Sequence, residues 1–121
     1  MAEPAVSVIL PVYNAGPFLD DAIRSVLRQG EAALEILAVD DGSTDGSGER
    51  LAAWAAREPR IRAFGIENRG PAGARNRALA EARAETVAFI DADDLWPAGK
   101  LALQLGRLQA APELAAVSGF T

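Results

Sequence analysis

Three carboxylates, Asp91, Asp93 and Asp94, lie within four residues, directly after the apolar run Val87-Ala88-Phe89-Ile90. Like charges this close raise one another's pKa and resist joint ionisation. A hard divalent cation relieves the repulsion, because Mg²⁺ and Mn²⁺ take oxygen ligands and often bridge a carboxylate to a substrate phosphate. The structural alternative is an acidic strand-to-helix turn, with Asp94 capping a helix that begins near Pro97. Two further polar tips close apolar runs elsewhere in the chain: Tyr13-Asn14 and Asp40-Asp41.

What the chain lacks narrows the chemistry. Cysteine and histidine are both absent, which removes disulfides, thiolate zinc sites, Cys nucleophiles and every His-based triad. Acid–base work falls to carboxylates, and any metal must accept oxygen. Of the 12 basic residues only Lys100 is lysine. Arginine suits bidentate contact with phosphate, although an Ala- and Arg-rich composition accounts for most of these positions. A formal net charge of −5 argues against a nucleic-acid partner. No apolar run is long enough to span a bilayer, and there is no basic amphipathic helix. The opening Met1-Ala2-Glu3-Pro4 lacks the charged and apolar regions of a signal peptide. The expected location is cytoplasmic.

The elements that must position these tips alternate along the chain. Val6 to Leu10, Glu35 to Val39, Ile61 to Ile66 and Thr86 to Ile90 read as strands, and Leu114 to Val117 as a fifth. Helices are expected after Pro17, with Phe18, Leu19, Ala22, Ile23, Val26 and Leu27 on one face, then through Leu51 and Trp54. Two more are expected, from Gly70-Pro71 through Leu79 to about Arg83, and from Pro97 with Leu101, Leu105 and Leu108 in line. Strand–helix alternation predicts one α/β domain over residues 1–121: a mostly parallel, Rossmann-like open sheet with helices on both faces. In such a sheet the three polar tips share the rim at the carboxyl ends of the strands. Ligands bind there, where the strand order reverses, between the first and fourth strands.

Several nucleotide and metal sites are excluded. The turn Pro11-Val12-Tyr13-Asn14-Ala15-Gly16-Pro17 has one glycine before the helix, too few for a dinucleotide fingerprint. No P-loop is present. Asp41, Ser43, Asp45 and Gly46 mimic the opening of a calcium loop, but its twelfth position is Ala52 where a bidentate Glu is required. A phosphotransfer site with an aspartate pair on the first strand does not fit either.

Four blocks remain: Val8-Ile9-Leu10-Pro11-Val12-Tyr13-Asn14, Val39-Asp40-Asp41-Gly42-Ser43-Thr44-Asp45, Gly73-Ala74-Arg75-Asn76-Arg77 and Phe89-Ile90-Asp91-Ala92-Asp93-Asp94. In this order they resemble the successive signatures of family 2 glycosyltransferases of the GT-A fold, over nearly the whole chain. The resemblance implies a site for a nucleoside-diphosphate sugar, expected to be a UDP-sugar, with Mn²⁺ or Mg²⁺. Pro11 and Tyr13 would border the nucleobase, Tyr13 offering a stacking face. Asp41 would accept from the base imide, which favours uracil, while Asp40 is structural. Arg75 would lie near the nucleotide, its other reading being a surface helix residue. Asp91 would face the ribose, Asp93 would ligate the metal, and Asp94 would contact the sugar or cap a helix.

The implied reaction is inverting sugar transfer to a saccharide, lipid or protein acceptor. The family's acceptor base lies downstream of the metal motif. After Asp94 the one acidic residue is Glu113, expected on the opposite rim. The chain therefore reads as a donor-binding half, with the acceptor half absent. The family inserts a later antiparallel strand beside the fourth. Without it, the fourth strand's uncovered edge predicts a homo-oligomer or a displaced fifth strand. Two rivals stand: a non-catalytic scaffold of the same fold, and a nucleotidyltransferase preferring a triphosphate.

Overall fold

A computed structural model describes residues 4–29 and 34–100, together with the backbone of 116–117. The elements are β1 (Val6–Val12), α1 (Phe18–Leu27), β2 (Leu34–Asp41), α2 (Ser47–Arg57), β3 (Ile61–Ile66), α3 (Gly70–Glu81), β4 (Thr86–Phe89) and β5 (Ala116–Val117). All strand pairs are parallel, in the order β3-β2-β1-β4-β5. The alternation in sequence thus folds as expected. The fourth expected helix, with Leu101, Leu105 and Leu108, and Glu113 lie outside the described residues.

A parallel sheet is covered on both faces, so its strands are apolar on both. Successive side chains of β1 go to opposite sides. Val6, Val8, Leu10 and Val12 join one core with Leu19, Ile23 and Val26 of α1 and Leu51 of α2. Ile9 joins the other, with Leu37 and Val39 of β2 and Ala74 and Ala78 of α3. Helices α1 and α2 therefore cover one face and α3 the other. The α3 contact is made of alanines at i and i+4, and the sheet supplies the bulk through Ile9, Leu37 and Val39 with Phe64 and Phe89 packed alongside. Leu79 is 40% exposed and stands off that face.

Two expectations about elements change. Phe18 is not part of the buried stripe of α1: it is 58% exposed, and Leu27 is half-buried. Being the first residue of α1, Phe18 lies where the helix overhangs the rim. The outer edge of β4 is paired: β5 runs beside it, Val87 opposite Ala116 and Ala88 opposite Val117. This is the displaced fifth strand of the two expected alternatives.

The rim opens for a readable reason. The β1/β2 ladder continues to Val12 opposite Asp40, whereas the β1/β4 ladder ends at Ile9 opposite Phe89, with Ile90 N donating to Ile9 O at 3.1 Å. Residues of a parallel strand present their backbone groups alternately to either neighbour. The next position facing β4 is therefore Pro11, which has no N–H to donate. The two strands part there, and a cleft forms at the point where the strand order reverses.

Candidate functional site

The cleft has a volume of about 560 Å³ and is lined by residues of all three polar tips. Pro11, Tyr13, Asn14 and Phe18 come from the β1–α1 side, Asp41 from the end of β2, and Asp91 and Asp93 from the segment after β4. Asn68, Gly70, Pro71 and Ala74 complete it from the start of α3. Five expected site residues, Pro11, Tyr13, Asp41, Asp91 and Asp93, thus face one space. Arg75 and Asp94 flank it, Arg75 through an ion pair to Asp91 (Nη2–Oδ1 3.7 Å) and Asp94 through the acidic cluster.

Tyr13 is 51% exposed. An aromatic ring held open at a cleft is a stacking surface for a planar ligand. The adjoining turn is rigidly tied. Asn14 adopts φ 47°, a left-handed conformation that Asn tolerates better than most residues. Its N–H donates to Ser43 Oγ (2.9 Å), and its Oδ1 accepts from Thr44 N (2.8 Å). Ala15 N donates to Ser47 Oγ (3.2 Å) and Gly16 N to Asp45 Oδ2 (2.9 Å). The β1–α1 and β2–α2 loops are zipped together by these bonds. The Ser47 hydroxyl holds the Asp45 carboxyl below its ordinary value against the opposing effect of burial, and the backbone amides of Ser47 and Gly16 add to the lowering.

The two aspartates closing β2 differ in kind. Asp40 Oδ1 accepts from Ser43 N (3.3 Å), a local turn bond that matches its structural reading. Asp41 is 3% exposed, and both its oxygens accept from the start of α3: Oδ1 from Arg69 N (2.7 Å) and Oδ2 from Gly70 N (2.9 Å). It caps a helix distant in sequence, satisfying amides that have no intrahelical partner and placing negative charge at the positive end of the dipole. A carboxylate offers about four acceptor sites, so two remain for a ligand. Gly42 beside it has φ 75°, and a Cβ there would meet Asn68 N at 3.1 Å. Glycine is what lets the two loops approach.

Asp91, Asp93 and Asp94 each offer a carboxylate oxygen, all within 4.8 Å of one another. Octahedral ligation at about 2.1 Å places opposite oxygens about 4.2 Å apart, so small side-chain adjustments would close the set on one ion. Asp94 Oδ2 is buried without a hydrogen-bond partner among the described residues. Its backbone N–H donates to Asp91 O (3.0 Å), which folds the three carboxylates into one turn. Burial, then the charge of Asp94, push the Asp91 carboxyl above its ordinary value; Arg75 opposes this and Asp93 adds to it. An all-oxygen donor set, an orphaned buried acceptor and negative charge that Arg75 offsets only in part fit Mn²⁺ or Mg²⁺. No hydrogen bond made by the Asp94 carboxylate to a helix N-terminus occurs among the described residues. Trp96 Nε1 and Lys100 Nζ are also buried and unpartnered among them.

Comparison with known proteins decides the family. The sequence model for glycosyl transferase family 2 matches residues 7–121. This chain belongs to that family. It is 44% identical over 104 residues to Bacillus subtilis (strain 168) TuaG, whose name provisionally assigns it as a glycosyltransferase of teichuronic acid biosynthesis. That match covers 85% of this chain and 41% of TuaG. Among solved structures, S. aureus TarS in complex with UDP superposes with TM-score 0.77 at 28% identity, covering 87% of this chain and 32% of that one. The mannosyltransferase PcManGT from Pyrobaculum calidifontis, in complex with GDP-Man and Mn²⁺, gives 0.79 at 34% identity, covering 92% and 34%. The family 2 chain therefore has the GT-A type of fold and spans less than half the length of these relatives. Among the described residues no helix is long and apolar enough to cross a membrane.

Sequence reasoning missed Phe18, Asn68, Gly70, Pro71 and Ala74 as lining residues. Ala74 lies inside the third sequence block, next to Arg75, and Asn68 follows the strand Ile61–Ile66 at the same rim as the other tips. Phe18 could not be found from periodicity, because its spacing matches the buried stripe. The opposite rim carries a polar network of another composition, without aspartate or glycine. There, Glu35 Oε2 accepts from Ser7 Oγ (2.6 Å) and Arg83 N (2.8 Å), while Arg62 joins Glu35 Oε1 (3.2 Å) to Glu81 Oε1 (3.1 Å). Every member of that network is paired, which is the pattern of a structural tie rather than a binding site.

Proposed function

We propose that this chain binds the nucleoside diphosphate of a sugar donor, a uridine diphosphate sugar, together with Mn²⁺ or Mg²⁺, and that residues 1–121 form the donor-binding part of an inverting glycosyltransferase. One observation carries the reading: an open aromatic, a buried carboxylate and two members of an acidic triad line a single cleft, with the third member and an arginine flanking it, all from four separate segments. A scaffold that kept only the fold would have no reason to retain a cluster of three carboxylates with a single loosely held arginine beside an open aromatic.

The reading gives each residue a role. Tyr13 supplies a π-face to the base. Asp41, with its remaining lone pairs, accepts from a base imide N–H, which favours uracil over bases that present an acceptor there. Asp91 accepts from a ribose hydroxyl, and Asp93 and Asp94 hold the cation. When bound, the cation neutralises charge developing on the diphosphate leaving group. The cleft walls Phe18 and Pro71 exclude water from the base. Members of this reaction class need a carboxylate base within hydrogen-bond reach of the acceptor hydroxyl, and no described residue is assigned to it.

The test is calorimetric titration with UDP, with and without Mn²⁺. The expected result is binding that depends on Mn²⁺ and is lost in Asp93→Ala, with the circular dichroism spectrum unchanged because Asp93 is exposed. UTP bound better than UDP would favour a nucleotidyltransferase. No binding to a folded chain in either condition would leave the scaffold.

A further inference from the structure

Arg75 is the sole cation paired with the acidic triad among the described residues. Its guanidinium reaches Asp91 Oδ1 at 3.7 Å, beyond hydrogen-bond range, and makes no hydrogen bond to any described residue. Both partners are partly open, with side chains 40% and 36% exposed. By contrast Arg62 is locked, with Glu35 Oε1 at 3.2 Å, Glu81 O at 2.8 Å and Glu81 Oε1 at 3.1 Å. A structural arginine in this fold therefore looks like Arg62. Arg75 is held by charge alone and is free to change partner without breaking a hydrogen bond.

The backbone beneath it is fixed. The N-terminus of α3 is bound by Asp41, and its C-terminus by the Arg62 contact to Glu81 O. The side chain of Arg75 can therefore change partner without displacing its backbone. It sits next to Ala74, which lines the cleft where a diphosphate would lie in the function proposed above. A guanidinium prefers a phosphate's two oxygens, taken bidentately, to one distant carboxylate oxygen.

We infer that Arg75 is the resident counter-charge of the metal cluster, and that a nucleoside diphosphate draws it off Asp91, so that this side chain adds to the cooperativity between nucleotide and divalent cation beyond their direct contact. In the nucleotide-free protein Arg75 opposes cation entry by occupying Asp91 and by repelling positive charge. With a diphosphate present, the guanidinium turns to the phosphates and Asp91 is released. Coupling of this kind is reciprocal: the nucleotide tightens the cation by the factor that the cation tightens the nucleotide. The inference rests on the donor-site reading of the cleft.

The experiment measures Mn²⁺ affinity by electron paramagnetic resonance of the free ion, with and without UDP, for wild type, Arg75→Gln and Arg75→Lys. Exposed pairs are weak and a divalent ion doubles the repulsion, so Arg75→Gln should bind Mn²⁺ alone roughly three- to tenfold tighter. The factor by which UDP tightens Mn²⁺ should fall by a similar amount. Arg75→Lys keeps the charge and should stay near wild type for Mn²⁺ alone. A merely structural Arg75 would weaken Mn²⁺ binding in both variants, and that result would overturn the inference. So would an unchanged coupling factor in Arg75→Gln, even with UDP and Mn²⁺ binding normally, which would leave the donor-site reading standing. If Arg75→Gln tightens Mn²⁺ but UDP binds to neither protein, the counter-charge role survives and the nucleotide reading falls. Absence of Mn²⁺ binding to wild type, with and without UDP, overturns both.

Discussion

Replacing Asp41 with Asn changes one oxygen to an NH₂ group and keeps the shape. In the native chain both oxygens accept from α3, at 2.7 Å from Arg69 N and 2.9 Å from Gly70 N, in a site 3% exposed. Hydrogen bonds to a charged group are worth about 1.5–3 kcal/mol each, neutral ones about 1 kcal/mol. Asn can accept from one amide with its single oxygen, but its NH₂ then faces the other N–H, donor against donor. One charged bond becomes neutral and the other is lost, and the negative charge at the helix N-terminus goes with them. The sum is about 3 kcal/mol. For a chain of this size that lowers the Tm by about 10 °C. Thermal unfolding followed by circular dichroism at pH 7, without metal or nucleotide, measures it directly. A shift under about 2 °C would refute the cap, and with it the argument that Asp41 shapes the α3 wall of the cleft. The same result governs how nucleotide data are read. Loss of uridine binding in an Asp41 variant reports on base recognition only if the variant is folded at the assay temperature.

Three other outcomes are expected. Asp91→Asn should raise the Tm of the metal-free protein at neutral pH. The folded-state pKa of Asp91 lies above its ordinary value of 3.8, so its contribution is present below that value and lost as pH rises through the raised one; the variant's advantage should therefore vanish near pH 3. Asp20→Asn should act oppositely: the Trp54 indole first, then Arg50, lower this carboxyl, so wild type should lose the advantage of ionised Asp20 as pH falls below 3.8, and the variant's acid limb should be flatter in a pH series of urea midpoints. Phe18→Ala should change the urea midpoint little, because the ring is 58% exposed, yet weaken UDP binding several-fold by calorimetry; unchanged affinity would remove Phe18 from the cleft wall.

Sequence showed the order of elements and the rim because both rest on local signals. Apolar runs such as Val6–Val12 and Leu34–Asp41 announce buried parallel strands, and their polar tips must then share one edge. Long-range partners were not legible. Nothing in Asp40-Asp41 tells which aspartate turns back on its own loop and which crosses to cap α3, 28 and 29 residues away. The Glu35–Arg62 tie was hidden for the same reason: a glutamate inside an apolar strand signals a partner without naming it. Phe18 failed differently. Its helical phase agrees with the buried stripe, but phase cannot say where the sheet beneath the helix ends.

The two long-range ties explain why the cleft can be specific without being enclosed. Preorganisation depends on walls that do not reorganise when the ligand arrives. Helix α3 is bound at both ends, by Asp41 and by the Arg62 contact to Glu81 O, and the loops after β1 and β2 are bound to each other through Asn14, Ser43, Asp45 and Ser47. Three sides are thus fixed by hydrogen bonds that a ligand need not supply. The fourth, Asp91 to Asp94, has its turn closed by one backbone bond, and its carboxylates are left with repulsion and a distant arginine. The unsatisfied side is therefore the acidic one, and its missing stabilisation is what a cation and a diphosphate together would provide under the function proposed above. Filling Asp94 Oδ2 with any neutral partner should stabilise the free protein and weaken the site in the same step.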